Sequence, residues 1–506
     1  MALLAGDPHD EALRAEVAPA DWIDPQARAR YDLVVLGGGT AGLVSAAIAA
    51  GLGARVALVE RELLGGDCLN YGCVPSKALL AAARRVSDAR GAAALGVTGT
   101  ADAAVDFAAV MERMRGLRAG IAHHDSAARF RDLGVDVFLG EGVFTDAATL
   151  GVTLRGGGAR TLRFRRAVLA TGARPVVLPV DGLEETGFLT NHSLYALTER
   201  PARLVVVGAG PIGVEMAQAF ARFGTQVTIV ALDAQLLPRE DPDAAALVRA
   251  SLERDGVRFE LGASLQRVER RDGGKVVVWE RDGKQGECVG DEILLAAGRR
   301  ANVEGLGLDA AGIATTRSGV QVDDRLRTSN RRVYAAGDVT GLYQFTHAAD
   351  AMARIVVRNA FFFGRGKASL LTMPWSTYTM PEVAHVGLYV HEEARAGTPL
   401  DSLRMDFADI DRSILEGETE GYAKVVFERR SGRLRGATVV HPHAGELLGE
   451  ALIAVTRRLK VTDLSSVIHP YPTAVSVWGR LGDLANRGRL TPWAARVLKA
   501  LIRMRR

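Results

Sequence analysis

Residues 37–42 and 208–213 both read G-x-G-x-x-G, and each lies between an apolar run and a helix of small residues. No other feature constrains the fold as tightly. Gly37 and Gly208 turn the chain sharply, Gly39 and Gly210 let backbone approach a pyrophosphate, and Gly42 and Gly213 let helix pack closely on strand. The first copy follows Leu33-Val34-Val35-Leu36, opens a helix over 41–50 and leads into an apolar run over 55–59 that ends at Glu60. The second follows 204–207, opens a helix over 215–223 and leads into a strand over 226–230. Strand, turn, helix and strand make a βαβ unit. The chain therefore holds two copies of one nucleotide-binding unit, and each helix start offers free N–H groups to phosphates.

The copies differ where a ribose is read. Glu60 ends its strand with a carboxylate that can accept from both ribose hydroxyls, whereas the second copy has Ala231, with Asp233 two residues on. A missing carboxylate removes repulsion against a 2′-phosphate, a slight lean toward NADPH over NADH.

At 506 residues the chain predicts two to four domains. Its net charge of +4 argues against a general nucleic-acid binder, and much of the excess is local, at Arg496, Lys499, Arg503, Arg505 and Arg506. No signal-peptide pattern opens the chain, and no apolar stretch is long enough to predict a membrane span, so a cytoplasmic protein is expected. The segment 492–506 has Trp493, Val497, Leu498, Leu501 and Ile502 at helical spacing between its cations. We expect this terminal helix to dock on its own protein; a membrane-surface helix is the alternative.

The three cysteines are Cys68, Cys73 and Cys288, too few for a disulfide scaffold. Cys68 and Cys73 fall in Gly-Gly-Asp-Cys-Leu-Asn-Tyr-Gly-Cys-Val-Pro-Ser-Lys, residues 65–77. A zinc site would need two more ligands at other spacings, so no metal is predicted. Five steps of about 100° put the two sulfurs on different faces of an ideal helix, so a bond between them requires a distorted helix start. Such a disulfide is readily reduced, and a helix N-terminus favours a thiolate. The pair reads as redox-active.

This segment resembles the active site of the class I pyridine nucleotide–disulfide oxidoreductases, the group that includes dihydrolipoamide dehydrogenase, glutathione reductase and mercuric reductase. The resemblance covers roughly 31–480. Ala170-Thr171-Gly172-Ala173-Arg174-Pro175 is similar to the family's first crossover, Ala296-Ala297-Gly298-Arg299 to the second, and Ala335-Ala336-Gly337-Asp338 to its second FAD fingerprint. The resemblance implies an α/β fold with two Rossmann-like domains, for FAD and for NAD(P), and a C-terminal α+β dimerisation domain. The organisation expected is an arm at 1–30, FAD-binding parts at 31–172 and 305–372, an NAD(P)-binding domain at 173–304, a dimerisation domain at 373–485 and a basic amphipathic tail at 486–506, the arm and the tail lying outside the resemblance. FAD would be held by Gly37, Gly39, Thr40, Ala41, Gly42, Glu60, Gly66, Lys77, Thr171, Gly172, Asp338, His347 and Ala348. NAD(P) would be held by Gly208, Gly210, Pro211, Ile212, Gly213, Glu215, Ala231 and Gly298.

The resemblance further assigns exchange with substrate to Cys68 and the flavin-facing role to Cys73, and pairs Lys77 with Glu215. His469, in His469-Pro470-Tyr471-Pro472-Thr473, is similar to the histidine that acts as acid/base in the partner subunit of a homodimer. The family's orienting glutamate is Ser476 here, which predicts a poorly held imidazole. Electrons would pass from NAD(P)H through FAD and the cysteine pair to a small acceptor. The alternatives are a mercuric-type metal reductase, a dihydrolipoamide dehydrogenase, an oxygen- or quinone-reducing oxidase and a thiol redox sensor. Ala231 and Ser476 depart from the lipoamide pattern, no cysteine follows Cys288 to hand on mercuric ion, and Pro211 stands where glutathione reductase has a tyrosine.

Overall fold

The computed structural model describes residues 3–271, 273–490 and 492–505. They form two compact units, residues 1–234 with 257–371 and residues 235–256 with 372–506.

The first unit is built on two sheets. In one, Tyr31–Leu36 lies between Val56–Glu60 and Ala159–Leu169, all parallel, with Val135–Asp146 and Val333–Ala335 outside them. Leu33 and Val35 face one buried cluster and Val34 and Leu36 another, because alternate residues of a strand point to opposite faces. Val135–Asp146, Thr149–Leu154 and Ala159–Leu169 then run on as an antiparallel meander. The second sheet is four parallel strands in the order Glu292–Leu295, Arg203–Val207, Gln226–Ala231, Arg258–Leu261. The two crossovers pair as Ala173–Pro175 with Arg299–Ala301. Both Rossmann-like halves are thus present, each with its helix, Thr40–Gly51 or Pro211–Arg222, directly after the glycine turn.

Residues 1–30, expected to be an arm without regular structure, contain the helix Pro8–Val17. Asp7 caps it, accepting from the backbone N–H of His9 at 3.0 Å and of Asp10 at 3.1 Å, and Pro8 starts it without losing a bond. Its apolar stripe is only Leu13 and Val17, both fully buried, which is too short to stand out as a sequence period. Two buried ion pairs fasten it to the helix Phe107–Ile121: Asp7 with Arg115 at 2.7 Å, and Asp10 with Arg118.

The second unit is a five-stranded antiparallel sheet in the order Pro374–Thr377, Glu382–Gly387, Leu434–His441, Tyr422–Glu428, Leu400–Asp406. Helices Ala444–Thr456 and Val477–Gly488 contribute Leu448, Ala451, Trp478 and Leu481 to its core. The helix Pro242–Arg254 clusters with this unit. Glu240, just before it, accepts from Trp375 Nε1 and from the Tyr389 hydroxyl, each at 2.6 Å, and Asp243 pairs with Arg404.

The predicted terminal helix exists as Pro492–Met504, but it does not dock as expected. Trp493 is 73% exposed and Met504 74%, and Leu501 and Ile502 are also open to solvent. Arg506, counted with this tail, lies outside the described residues. Among the described residues, no helix is long and apolar enough to cross a membrane.

Candidate active site

The first glycine turn is steric necessity made visible. Gly37 has φ +106°, and a Cβ there would sit 2.3 Å from the Ala170 carbonyl oxygen; one on Gly42 would sit 1.8 Å from the Gly37 carbonyl oxygen. The helix Thr40–Gly51 starts at Gly39 with no side-chain cap, so its first N–H groups are left for a ligand. Glu60 closes the cradle, accepting from Gly38 N–H and Glu62 N–H, each at 2.6 Å. Burial raises its pKa. Gly66 folds over the turn, where a Cβ would meet Gly39 Cα at 2.6 Å. Gly337 brings Asp338 to the same place, its missing Cβ 3.3 Å from that of Ala41. Asp338 faces Arg299 at 3.5 Å and is raised by burial. Thr171 and Asn302 clasp the crossovers through Oγ1 to carbonyl at 2.8 Å and Nδ2 to carbonyl at 2.9 Å, beside Gly172. A narrow uncapped cradle with a carboxylate at its far strand fits the FAD that these residues are expected to hold.

The second turn repeats the first. A Cβ on Gly208 would lie 2.4 Å from the Ala296 carbonyl oxygen and one on Gly213 would lie 2.3 Å from the Gly208 carbonyl oxygen. Its surroundings are open: Gly210 and Gly298 have nothing within 4 Å of a Cβ, and Ile212, after Pro211, is exposed. Ala231 is buried at the strand end and the next residue, Leu232, is 75% exposed.

The redox segment is broken between its two cysteines. Cys68 sits in a short helix, Gly66–Asn70, and Cys73 is the first residue of a longer one, Cys73–Gly91, with Tyr71 and Gly72 between them. Both cysteines are thiols here. Asn70 Nδ2 donates to the Leu64 and Gly66 carbonyls at 3.1 and 2.8 Å, and the Asn70 carbonyl accepts from Arg118 Nη1 at 2.8 Å. The two sulfurs are unequal. The hydrogen bond from Cys68, then Thr346 and the charge of Lys77, push Cys73 down to about 6 against the effect of burial. The same bond and burial push Cys68 up. Thr346 Oγ1 lies 3.3 Å from Cys73 Sγ. Lys77, one turn along, donates to Glu215 Oε2 at 2.9 Å, and the glutamate is buried. That pair joins the redox helix to the helix of the second cradle. His347 and Ala348 follow Thr346 at the uncapped start of Thr346–Phe361, with His347 stacked on Phe345.

Several functional neighbours escaped sequence reasoning. Thr346 stands 273 residues from Cys73. Asp67 is held by Asn191 Nδ2 at 3.0 Å, Arg299 at 3.3 Å and His192 at 3.4 Å. Burial alone would raise Asp67, but these partners hold it below the usual carboxylate range. Asn191 also donates to the Tyr71 carbonyl at 3.0 Å, and His192 stacks on the Tyr71 ring. The only local hint was an acid placed directly before a redox cysteine.

His469 lies in the other unit. It is not poorly held: Nε2 is 2.9 Å from Glu450 Oε2, and only 9% of its side chain is exposed. Ser476 instead donates to the Thr473 carbonyl at 2.7 Å. The anchoring carboxylate comes from helix Ala444–Thr456, nineteen residues upstream, so its absence at 476 did not signal a missing partner. Tyr471, by contrast, is 80% exposed. Among the described residues, no group of histidine, cysteine and acid side chains is arranged to hold a metal.

Known proteins match most of the chain. The family described as pyridine nucleotide-disulphide oxidoreductase matches residues 31–353, and its dimerisation domain matches 373–480. A mercuric reductase of Streptomyces lividans is 34% identical over 88% of this chain and 94% of its own length. A dihydrolipoyl dehydrogenase of Chlamydia muridarum is 32% identical over 90% and 97%. The solved Cu(II) complex of the HOCl-induced flavoprotein disulfide reductase RclA from Escherichia coli superposes with a TM-score of 0.80 at 28% identity, covering 90% of this chain and all of that one.

Proposed function

Because this chain belongs to the pyridine nucleotide-disulphide oxidoreductases, a family of FAD-dependent enzymes that use a pyridine nucleotide, we propose that it passes electrons from NAD(P)H to a small acceptor through Cys68 and Cys73. Bound FAD would supply the relay between hydride and disulfide. In the balanced half-reaction, NAD(P)H reduces the Cys68–Cys73 disulfide to a Cys68 thiol and a Cys73 thiolate and releases NAD(P)+. The acceptor then takes two electrons from the pair and restores the disulfide.

The unequal sulfurs support this reading best. Cys73 is stabilised as thiolate by Cys68, Thr346 and Lys77, and Glu215 keeps the lysine placed. Cys68, whose thiol is raised by its bond to Cys73 and by burial, is the exchanging sulfur and gives its proton to an acid/base group as it attacks. A homodimer completes the site, supplied by the dimerisation domain, and the working setting is cytoplasmic. NADPH serves at least as well as NADH, because Ala231 offers no carboxylate. In the acid/base role, His469 has an anchoring partner in Glu450, while Tyr471 has the exposure needed to reach another subunit. Proton delivery lost in Tyr471→Phe but kept in His469→Gln assigns the role to the phenol.

The deciding experiment is an acceptor screen with flavin-loaded protein: lipoamide, oxidised glutathione, mercuric and cupric ions, quinones and oxygen, each with NADH and NADPH. Turnover that survives both Cys68→Ser and Cys73→Ser overturns the cysteine route and favours an oxidase. No turnover with any acceptor favours a redox sensor.

A further inference from the structure

The helix Pro492–Met504 is amphipathic and open to solvent. After Asp483 the sequence has no acidic residue, yet it carries seven cations: Arg487, Arg489, Arg496, Lys499, Arg503, Arg505 and Arg506. Removing those seven from a chain of net charge +4 leaves −3, so the basic character of the whole protein resides in this one segment.

The helix sorts its residues. At about 100° per residue, Arg496, Lys499 and Arg503 share an arc of roughly 60°, and Trp493, Met504, Val497, Leu501, Leu498 and Ile502 occupy roughly 180°. These apolar side chains are between 38% and 74% exposed. A contiguous apolar face of this kind on a soluble protein marks a binding surface.

We propose that this helix lies on an anionic lipid surface, with Trp493, Val497, Leu501 and Met504 entering the headgroup–acyl boundary and the cations pairing with phosphates. Charge complementarity selects the occupant. Nucleic acid would take the cations but leave the wide apolar face uncovered. Pairing with the same helix of a second copy would bring cations together without an acid between them. An amphipathic helix with a tryptophan, a cationic face and modest net hydrophobicity has the chemistry of a surface-lying anchor.

The test uses the full-length, FAD-loaded protein mixed with vesicles of phosphatidylcholine alone or with phosphatidylglycerol, separated by flotation. Partitioning into the anionic vesicles should be at least about tenfold stronger and should weaken as salt rises. The double variant Val497→Glu/Leu501→Glu, and a chain ending at Leu490, should lose it while keeping bound FAD. Equal binding to both vesicles, binding to neither, or binding retained by both variants overturns the proposal. So does a fall in the light-scattering mass of the shortened chain, which would make a second copy the occupant.

Discussion

The two glycine cradles are nearly superposable in their sterics and opposite in their surroundings. Each has a first glycine that only a missing Cβ allows beside a crossover carbonyl, and a third glycine pressed on the first. Around the first, Gly66 closes over Gly39, Gly65 N–H donates to the Gly38 carbonyl at 2.9 Å, and Glu60 is buried. Around the second, Gly210 and Gly298 face open space and Leu232 projects outward. The two fingerprints are alike; the walls differ, closed as a tightly held dinucleotide would require and open as an exchanging one would.

The strongest way to break that comparison is to fill each cradle in turn. Gly42→Ala places a Cβ on a backbone oxygen of the closed cradle, and the protein should purify without flavin absorbance. Gly213→Ala makes the matching clash in the open one and should leave flavin bound but unreduced by NAD(P)H. Loss of FAD from both, or neither, erases the distinction.

Between the cradles stand the sulfurs. Cys68→Ser and Cys73→Ser should each lower disulfide reduction by at least about 100-fold, since removing a nucleophile removes the covalent path. Stopped-flow reduction of flavin by NAD(P)H should persist in both. Only Cys68→Ser, which keeps the Cys73 thiolate, should show a long-wavelength absorption band; a band in both or in neither variant contradicts the unequal roles.

A smaller effect follows from pH. Cys73 is depressed from its ordinary 9.0 to about 6, so its thiolate is present above that value and lost as pH falls through it. In the two-electron-reduced enzyme the long-wavelength band should fade with a midpoint near 6, and Lys77→Gln should move the midpoint upward by removing a nearby cation. A midpoint that Lys77→Gln leaves in place detaches the lysine from the sulfur.

The smallest expected change is at the open cradle's strand end. Ala231→Glu should shift the ratio of kcat/KM for NADPH over NADH by about tenfold toward NADH, because a carboxylate there repels a 2′-phosphate. An unchanged ratio would place ribose recognition elsewhere, Asp233 first.

What could be read from sequence was what short-range sterics encode. Glycine spacing marks a turn, and a disulfide across a five-residue spacing requires a distorted helix start, so the two glycine turns and the irregularity near the cysteines were legible, whereas the position of the break at Tyr71 and Gly72 was not. The helix Pro8–Val17 was not legible, because its apolar stripe is only Leu13 and Val17 and the partners of Asp7 and Asp10, Arg115 and Arg118, lie a hundred residues away. Thr346 beside Cys73, Asn191 and Arg299 around Asp67, and Glu450 beneath His469 were hidden for the same reason. Each partner is defined by packing between distant segments, and its own neighbours in sequence carry no mark of it.

Arg118 has a consequence for anyone who edits this chain. Its fully buried guanidinium holds Asp10 on one side and the carbonyl of Asn70 on the other, so the opening twenty residues and the loop between the two cysteines share one fastening. Deleting the carboxylate end of a buried pair costs about 3–5 kcal/mol, because the remaining charge must find water. Water drawn to this charge arrives at the turn that separates the sulfurs. Trimming the start of the protein for crystallisation, or fusing a rigid domain to it, is thus an operation on the redox loop itself.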